Sequence, residues 1–174
     1  MKDRLVLVGF MGSGKSTVGR RLARLLDFEF LDLDSWIETR AGLAVRQIFA
    51  ERGEEGFRAE ELAAAREIQT RSRLVVAAGG GAFTQAETRA ALSHRALTVF
   101  LRCDLEAVLR RVRFDGSRPL AVSRERIGVL FTERQPSYRL AELEVDATAP
   151  PEAVAREIVR AFREAGAAQL RTKG

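Results

Sequence analysis

Residues Gly9 to Ser16 read GFMGSGKS and fit the pattern G-x-x-x-x-G-K-[ST]. They lie directly after an apolar run, Leu5 to Val8, and open a segment of helical period. Glycines at these spacings let the backbone curl until successive amide N–H groups face one cavity. The positive end of the following helix adds to that field, and both favour a polyphosphate. Lys15 is placed to reach the β- and γ-phosphates, and the Ser16 hydroxyl to ligate a divalent cation. A glycine-rich turn with no ligand is the plainer alternative, but the complete pattern between a strand and a helix argues against it. Kinases, GTPases and ATPase motors all carry such a loop, so the reaction must be named by whatever else converges on it.

Candidates for that second half are spread along the chain. Asp32-Leu33-Asp34 follows the second apolar run, and period-2 alternation predicts both carboxylates on one side of a strand end, beside the phosphate loop. One could order the water shell of a cation and the other accept a proton from an attacking hydroxyl; spacing does not assign the two roles. The same D-x-D pattern often does no more than cap a helix. Gly79, Gly80 and Gly81 end the third apolar run and would admit a ligand close to the main chain. Arg58, Arg118 and Arg134 each stand in a short motif, FR, SRPL and ERQPSY; taken singly, each is as readily a surface charge as a ligand contact. Glu60 and Glu61 follow Arg58 on one predicted helix.

The elements that must position these residues alternate. Leu5 to Val8, Phe28 to Leu33, Leu74 to Ala78, Leu97 to Leu101 and Leu143 to Val145 predict five strands. Between and after them the period predicts helices over 15–26, 54–70, 85–92, 105–112, 124–141 and 152–165. Asp104 and Ser123 suit N-caps, and Pro151 suits a first helical position. Helices alternating with near-continuous apolar strands mean an α/β fold in three layers, a parallel sheet covered on both faces. The chain of 174 residues reads as one domain. Residues 113–122, punctuated by Asp115-Gly116 and Pro119, read as a mobile lid, and 166–174 as a fraying tail.

Composition narrows the classes. The chain has 29 basic and 24 acidic residues for a net charge of +5, dispersed rather than blocked. Only Lys2, Lys15 and Lys173 are lysines; the rest of the basic residues are arginines, whose planar fork suits phosphates and carboxylates. Dispersed charge of this size fits small anions better than nucleic acid. The lone Cys103 excludes an internal disulfide and a cysteine-ligated cluster. Together with the absence of a long apolar run it predicts a cytoplasmic protein with no membrane association. His94 and Cys103 lack partners at ligand spacing and read as structural, while Met11 could either line the cavity or sit exposed.

Taken in order, GFMGSGKST at 9–17, LDLD at 31–34, FR at 57–58, GGG at 79–81, RPL at 118–120 and RQPSY at 134–138 resemble the shikimate kinase family. The resemblance runs from Leu5 to about Phe162, and it rests on the order and spacing of the pieces. It implies a P-loop kinase fold with a lid, and transfer of the γ-phosphoryl of MgATP to the 3-hydroxyl of shikimate. Position by position it implies that Gly12, Ser13, Gly14, Lys15, Ser16 and Thr17 hold the phosphates. Ser16 would ligate a single Mg²⁺ with Asp32 near it, Arg118 would reach the phosphates from the lid, and Arg111 would lie by the adenine. Asp34, Arg58, Gly79, Gly80, Gly81 and Arg134 would hold shikimate, with Asp34, Lys15 and Arg118 acting in catalysis. A monomer with ATP and shikimate as its small-molecule partners is expected.

Two places depart from the pattern. Residues 147–151 read ATAPP with no arginine, and the lid is compact and carries Asp115. The rival enzymes are a nucleoside monophosphate kinase and a gluconate kinase. GGG at 79–81, in place of an Asp-Gly-Phe-Pro-Arg-like segment, counts against a nucleotide acceptor. The rival outside enzymes, a P-loop regulator or nucleic-acid binder, would call for a clustered basic stripe with aromatics.

Overall fold

The structure, a computed structural model, describes residues 2–112, 120 and 123–171. In chain order it comprises β1 (Arg4–Val8), α1 (Lys15–Leu26), β2 (Glu29–Asp32), α2 (Leu33–Ala41), α3 (Val45–Ile68), β3 (Leu74–Ala77), α4 (Ala86–Ser93), β4 (Ala96–Arg102), α5 (Leu105–Arg111), α6 (Arg124–Tyr138), β5 (Leu143–Asp146) and α7 (Pro151–Arg171). A single 3₁₀ turn, Ala82–Thr84, joins β3 to α4.

All strand pairings are parallel, in the order β2-β3-β1-β4-β5. The pleat divides the strand side chains between two cores. Leu5, Leu7, Val75, Leu97, Val99 and Leu101 face α1 and α7, packing on Val18, Leu22, Val154 and Ile158. Val6, Val8, Leu74, Val76 and Phe100 face the other way, against Ile37, Ile48, Ile68, Ile127 and Tyr138 from α2, α3 and α6. The central strands β1, β3 and β4 are therefore buried on both faces, which is why they read as continuous apolar runs, while the edge strands β2 and β5 are partly exposed.

The strand order changes direction at β1, with β3 on one side and β4 on the other. The cleft at the carboxyl edge of such a switch point is where open α/β sheets bind ligands. The loop from Gly9 to Gly14 leaves β1 there. At the opposite edge the buried guanidinium of Arg4 donates to the carbonyls of Ile68 (2.8 Å), Arg71 (2.9 Å) and His94. One side chain thus satisfies the ends of α3 and α4.

The expected caps hold: Asp104 accepts from Ala107 N (2.6 Å), Ser123 from Arg126 N (3.1 Å), and Pro151 is the first residue of α7. Three expectations need correction. β2 ends at Asp32, and Leu33–Ala41 forms a helix the period did not show, so Asp34 lies in the first turn of α2 and not on a strand end. The helix expected from residue 54 begins at Val45 and runs through a break at Gly53 (φ 68°, ψ −174°). The last helix continues beyond 165 to Arg171. The lid expected over 113–122 lies outside the described residues apart from Leu120, and with it Arg118.

Candidate active site

The phosphate loop leaves β1 through backbone that glycine alone adopts freely: φ is 77° at Gly12 and 93° at Gly14, the N-cap of α1. Lys15 Nζ donates to the carbonyls of Gly9 and Phe10, both at 2.8 Å, and so ties its own loop into a ring. Ser16 Oγ donates to Asp32 Oδ2 at 2.8 Å, which joins the start of α1 to the end of β2. Arg111, at the end of α5, donates to the Gly12 carbonyl at 3.1 Å.

These groups line a cleft of about 590 Å³ that extends from Met11 to Val18 along the loop and is closed on its far side by residues Ala147 to Pro151. That far wall, Ala147 to Pro151, carries no charged side chain. The sequence-predicted phosphate residues Gly12, Ser13, Gly14, Lys15, Ser16 and Thr17, with Asp32 and Arg111, all lie on this one cleft.

A second cavity, of about 280 Å³, adjoins it. Its polar lining is Asp34, Glu38, Arg58, Glu61 and Arg134, and its apolar wall is Val45, Phe49, Phe57 and Leu120. Met11, Asp34, Gly79 and Gly80 line both cavities, so the two meet at a seam made by the phosphate loop, the first turn of α2 and the end of β3. Met11 is buried, and its place in the seam answers the choice the sequence left open.

The glycines of the seam are explained by what a side chain would strike. A Cβ on Gly79 would lie 2.6 Å from Asp34 Oδ1 and 3.1 Å from Glu61 Oε1. On Gly80 it would lie 3.3 Å from Arg134 Nη1, and on Gly81 2.5 Å from Arg58 Nη1. Each glycine therefore makes room for a different charged side chain, and together they bring both arginines and Asp34 over one stretch of main chain. Tyr138 fixes that stretch from below, its hydroxyl donating to the Gly80 carbonyl. Burial raises the Tyr138 pKa well beyond that of a free phenol, so it stays a donor.

Arg134 is buried on α6, its guanidinium 5.8 Å from the centre of the Phe10 ring. Arg58 is gripped by two carboxylates of its own helix, Nη1 donating to Glu61 Oε2 and Nη2 to Glu54 Oε1, each at 2.9 Å. Burial works against the Arg58 charge, but these carboxylates outweigh it and hold its proton more firmly than usual. Glu61 is fully buried; burial pushes its pKa up to about 7, with Arg58 opposing the shift and Asp34 adding to it. Its Oε1 is buried and makes no hydrogen bond among the described residues, so it is the oxygen on which a proton would sit. Neither Glu61 nor Glu54 had a role read from sequence. Their signal was the i+3 and i−4 spacing from an arginine on one helix.

Cys103 is buried at the end of β4 and burial raises its thiol pKa, while His94 is exposed in the turn after α4. Neither lines the two cavities.

Comparison with known proteins adds to this geometry. The family model described as shikimate kinase matches residues 11–163. A shikimate kinase of Halorhodospira halophila is 45% identical over 166 residues, covering 92% of this chain and 94% of that protein. The solved shikimate kinase from Acinetobacter baumannii in complex with shikimate superposes with a TM-score of 0.89 at 38% identity, covering 93% of each chain. A gluconokinase from Sinorhizobium meliloti superposes with a TM-score of 0.69 at 16% identity, covering 99% of this chain and 98% of that one, which shows a shared fold alone.

Proposed function

The chain belongs to the shikimate kinase family, and from that membership we propose that it transfers the γ-phosphoryl of ATP to the 3-hydroxyl of shikimate, with the two cavities as donor and acceptor sites. The observation that carries this reading is the shared seam. An acid in the smaller cavity and a triphosphate in the larger would meet at Met11, Asp34, Gly79 and Gly80.

On the donor side, the amides of residues 12–17 and Lys15 bind the phosphates, and Lys15 exchanges its loop carbonyls for phosphate oxygens. Arg111 and the 147–151 wall flank the base. Ser16 Oγ and Asp32 Oδ2, 2.8 Å apart, are hard oxygen donors of the kind Mg²⁺ takes in ones and twos alongside phosphate and water. Bound there, the ion would neutralise charge on the transferring group.

On the acceptor side, Arg58 and Arg134 bind the carboxylate as planar forks, and Phe49 and Phe57 pack on the ring. Asp34 orients the hydroxyl at the seam and accepts its proton as the bond to phosphorus forms. Residues 113–122 would act as the lid, with Arg118 reaching the phosphates, a role carried by the family resemblance.

No described helix is long and apolar enough to cross a membrane. The reading is of a monomeric, cytoplasmic single-domain enzyme that binds no nucleic acid. The test is ADP release with shikimate, gluconate, AMP and CMP as acceptors. Turnover with shikimate far above the others is expected; preference for gluconate or a nucleotide overturns the acceptor assignment.

A further inference from the structure

Arg58 presents two edges. Its Nη1 is held by the fully buried Glu61, while its Nη2 is held by Glu54, whose side chain is 54% exposed. Its Nε, which with Nη2 forms the side-on fork that grips a carboxylate with two parallel hydrogen bonds, is buried and makes no hydrogen bond among the described residues. Glu54 opens the helical segment that follows the break at Gly53, four residues before Arg58, so its side chain meets the guanidinium by the ordinary geometry of one helical turn.

Resting on the reading of this cavity as the acid site, we propose that Glu54 is an internal substitute for the substrate carboxylate. It occupies the Nη2 position of Arg58 and gives it up when the acid binds across the Nε–Nη2 fork. The two carboxylates on Arg58 are then not equivalent. Glu61 is inside the protein and cannot leave, and it sets where the guanidinium lies over Gly81. Glu54 is half exposed, and water can take it back at little cost. Glu61 stays on Arg58 throughout, and exchanging Glu54 for the acid keeps a second carboxylate beside it on either side of the binding step. The cost is affinity, because the acid must displace a partner before it gains one.

The experiment is Glu54→Gln in the full chain, with shikimate affinity measured by calorimetry and KM and kcat by ADP release, beside Glu55→Gln as a control for the loss of an exposed neighbouring charge. An exposed helical ion pair of ordinary strength corresponds to ~2- to 5-fold in affinity. Glu54→Gln is expected to lower Kd and KM for shikimate by that factor, to leave kcat and the KM for ATP alone, and to lose its advantage at high salt. Glu55→Gln is expected to behave as the parent. A raised KM in Glu54→Gln would make Glu54 a residue that positions Arg58 for the substrate, and an unchanged KM would make it a spectator; either overturns the proposal. Failure of the underlying reading looks different: the parent protein would then take up no shikimate, or bind it with an affinity that Arg58→Ala leaves intact.

Discussion

At the scale of single residues, the site separates three carboxylates that a sequence shows only as acids. Asp32 accepts from Ser16 on the donor side, whereas Asp34 stands at the seam between the cavities. Asp32→Asn should therefore raise the Mg²⁺ concentration needed for half-maximal rate, and added Mg²⁺ should restore much of the activity. Asp34→Asn should slow the chemical step by ~10² or somewhat more, at the low end for a general base because a loose phosphoryl-transfer transition state demands little proton removal. Single-turnover rates against Mg²⁺ at saturating shikimate decide it: rescue of Asp34→Asn and not of Asp32→Asn would reverse the two roles. Glu61 gives a prediction about stability. Its carboxyl titrates near 4.5 when unfolded and about 7 when folded, so the folded state binds its proton more tightly. That stabilisation is complete below about pH 4.5 and is lost as pH rises through about 7. The Tm of the parent protein should thus fall relative to that of Glu61→Gln between about pH 4.5 and 7 and run parallel to it above that, and parallel curves throughout would mean that Glu61 is ionised over the whole range.

At the scale of elements, what could be read in advance follows from burial. A strand covered on both faces has only apolar positions to offer, so β1, β3 and β4 were visible as continuous runs, while the edge strands β2 and β5 showed through the few apolar residues they bury, Leu31 and Val145. α2 was not, because it buries only Leu33 and Ile37, one turn apart, and the rest of its surface is partly or fully exposed. Missing it put Asp34 on a strand end by an alternation that stops at Asp32. Residues that line the two cavities, among them Lys15, Asp34, Arg58 and Arg134, were legible because phosphate and carboxylate recognition uses few residue types. The Glu54 and Glu61 contacts were not, since acid–arginine pairs at i,i+3 and i,i+4 are mostly solvated surface. Two elements can be tested directly. Gly81 has an ordinary φ of −104°, so Gly81→Ala strains no backbone, but the new methyl displaces the Arg58 guanidinium. KM for shikimate should rise on the order of 10²-fold while Tm stays near the parent value, since a misplacement near 1 Å is enough for that loss. Arg4→Met is the converse. It strands the carbonyls of Ile68, Arg71 and His94 and should cost roughly 2 to 4 kcal/mol in denaturant unfolding. The length of β1 separates it from the site, so kcat and KM should not change.

At the scale of the whole molecule, the fold does not choose the acceptor, because a gluconokinase shares it at 16% identity. What the fold supplies is two adjoining cavities that rest on different halves. The larger cleft, proposed for the donor, is built on α1 and the loop into α7, which enclose one core, while the smaller cavity, proposed for the acid, is built on α2, α3 and α6, which enclose the other. β1 serves both cores through alternate residues, Leu5 and Leu7 to one face, Val6 and Val8 to the other. Neither core can come apart without exposing the reverse side of the same strand, so the chain should unfold as a single unit. A ligand that binds only the folded state at 100 times its Kd contributes ~2.7 kcal/mol, which for a domain of this size is a Tm rise of roughly 5 to 10 °C. Shikimate alone and a non-hydrolysable MgATP analogue alone should each shift one calorimetric transition upward by about that much. Arg58→Ala should lose the first shift and keep the second, and Lys15→Ala should do the reverse. Two resolved transitions, each moved by one ligand, would mean that the halves fold separately and that β1 does not couple them.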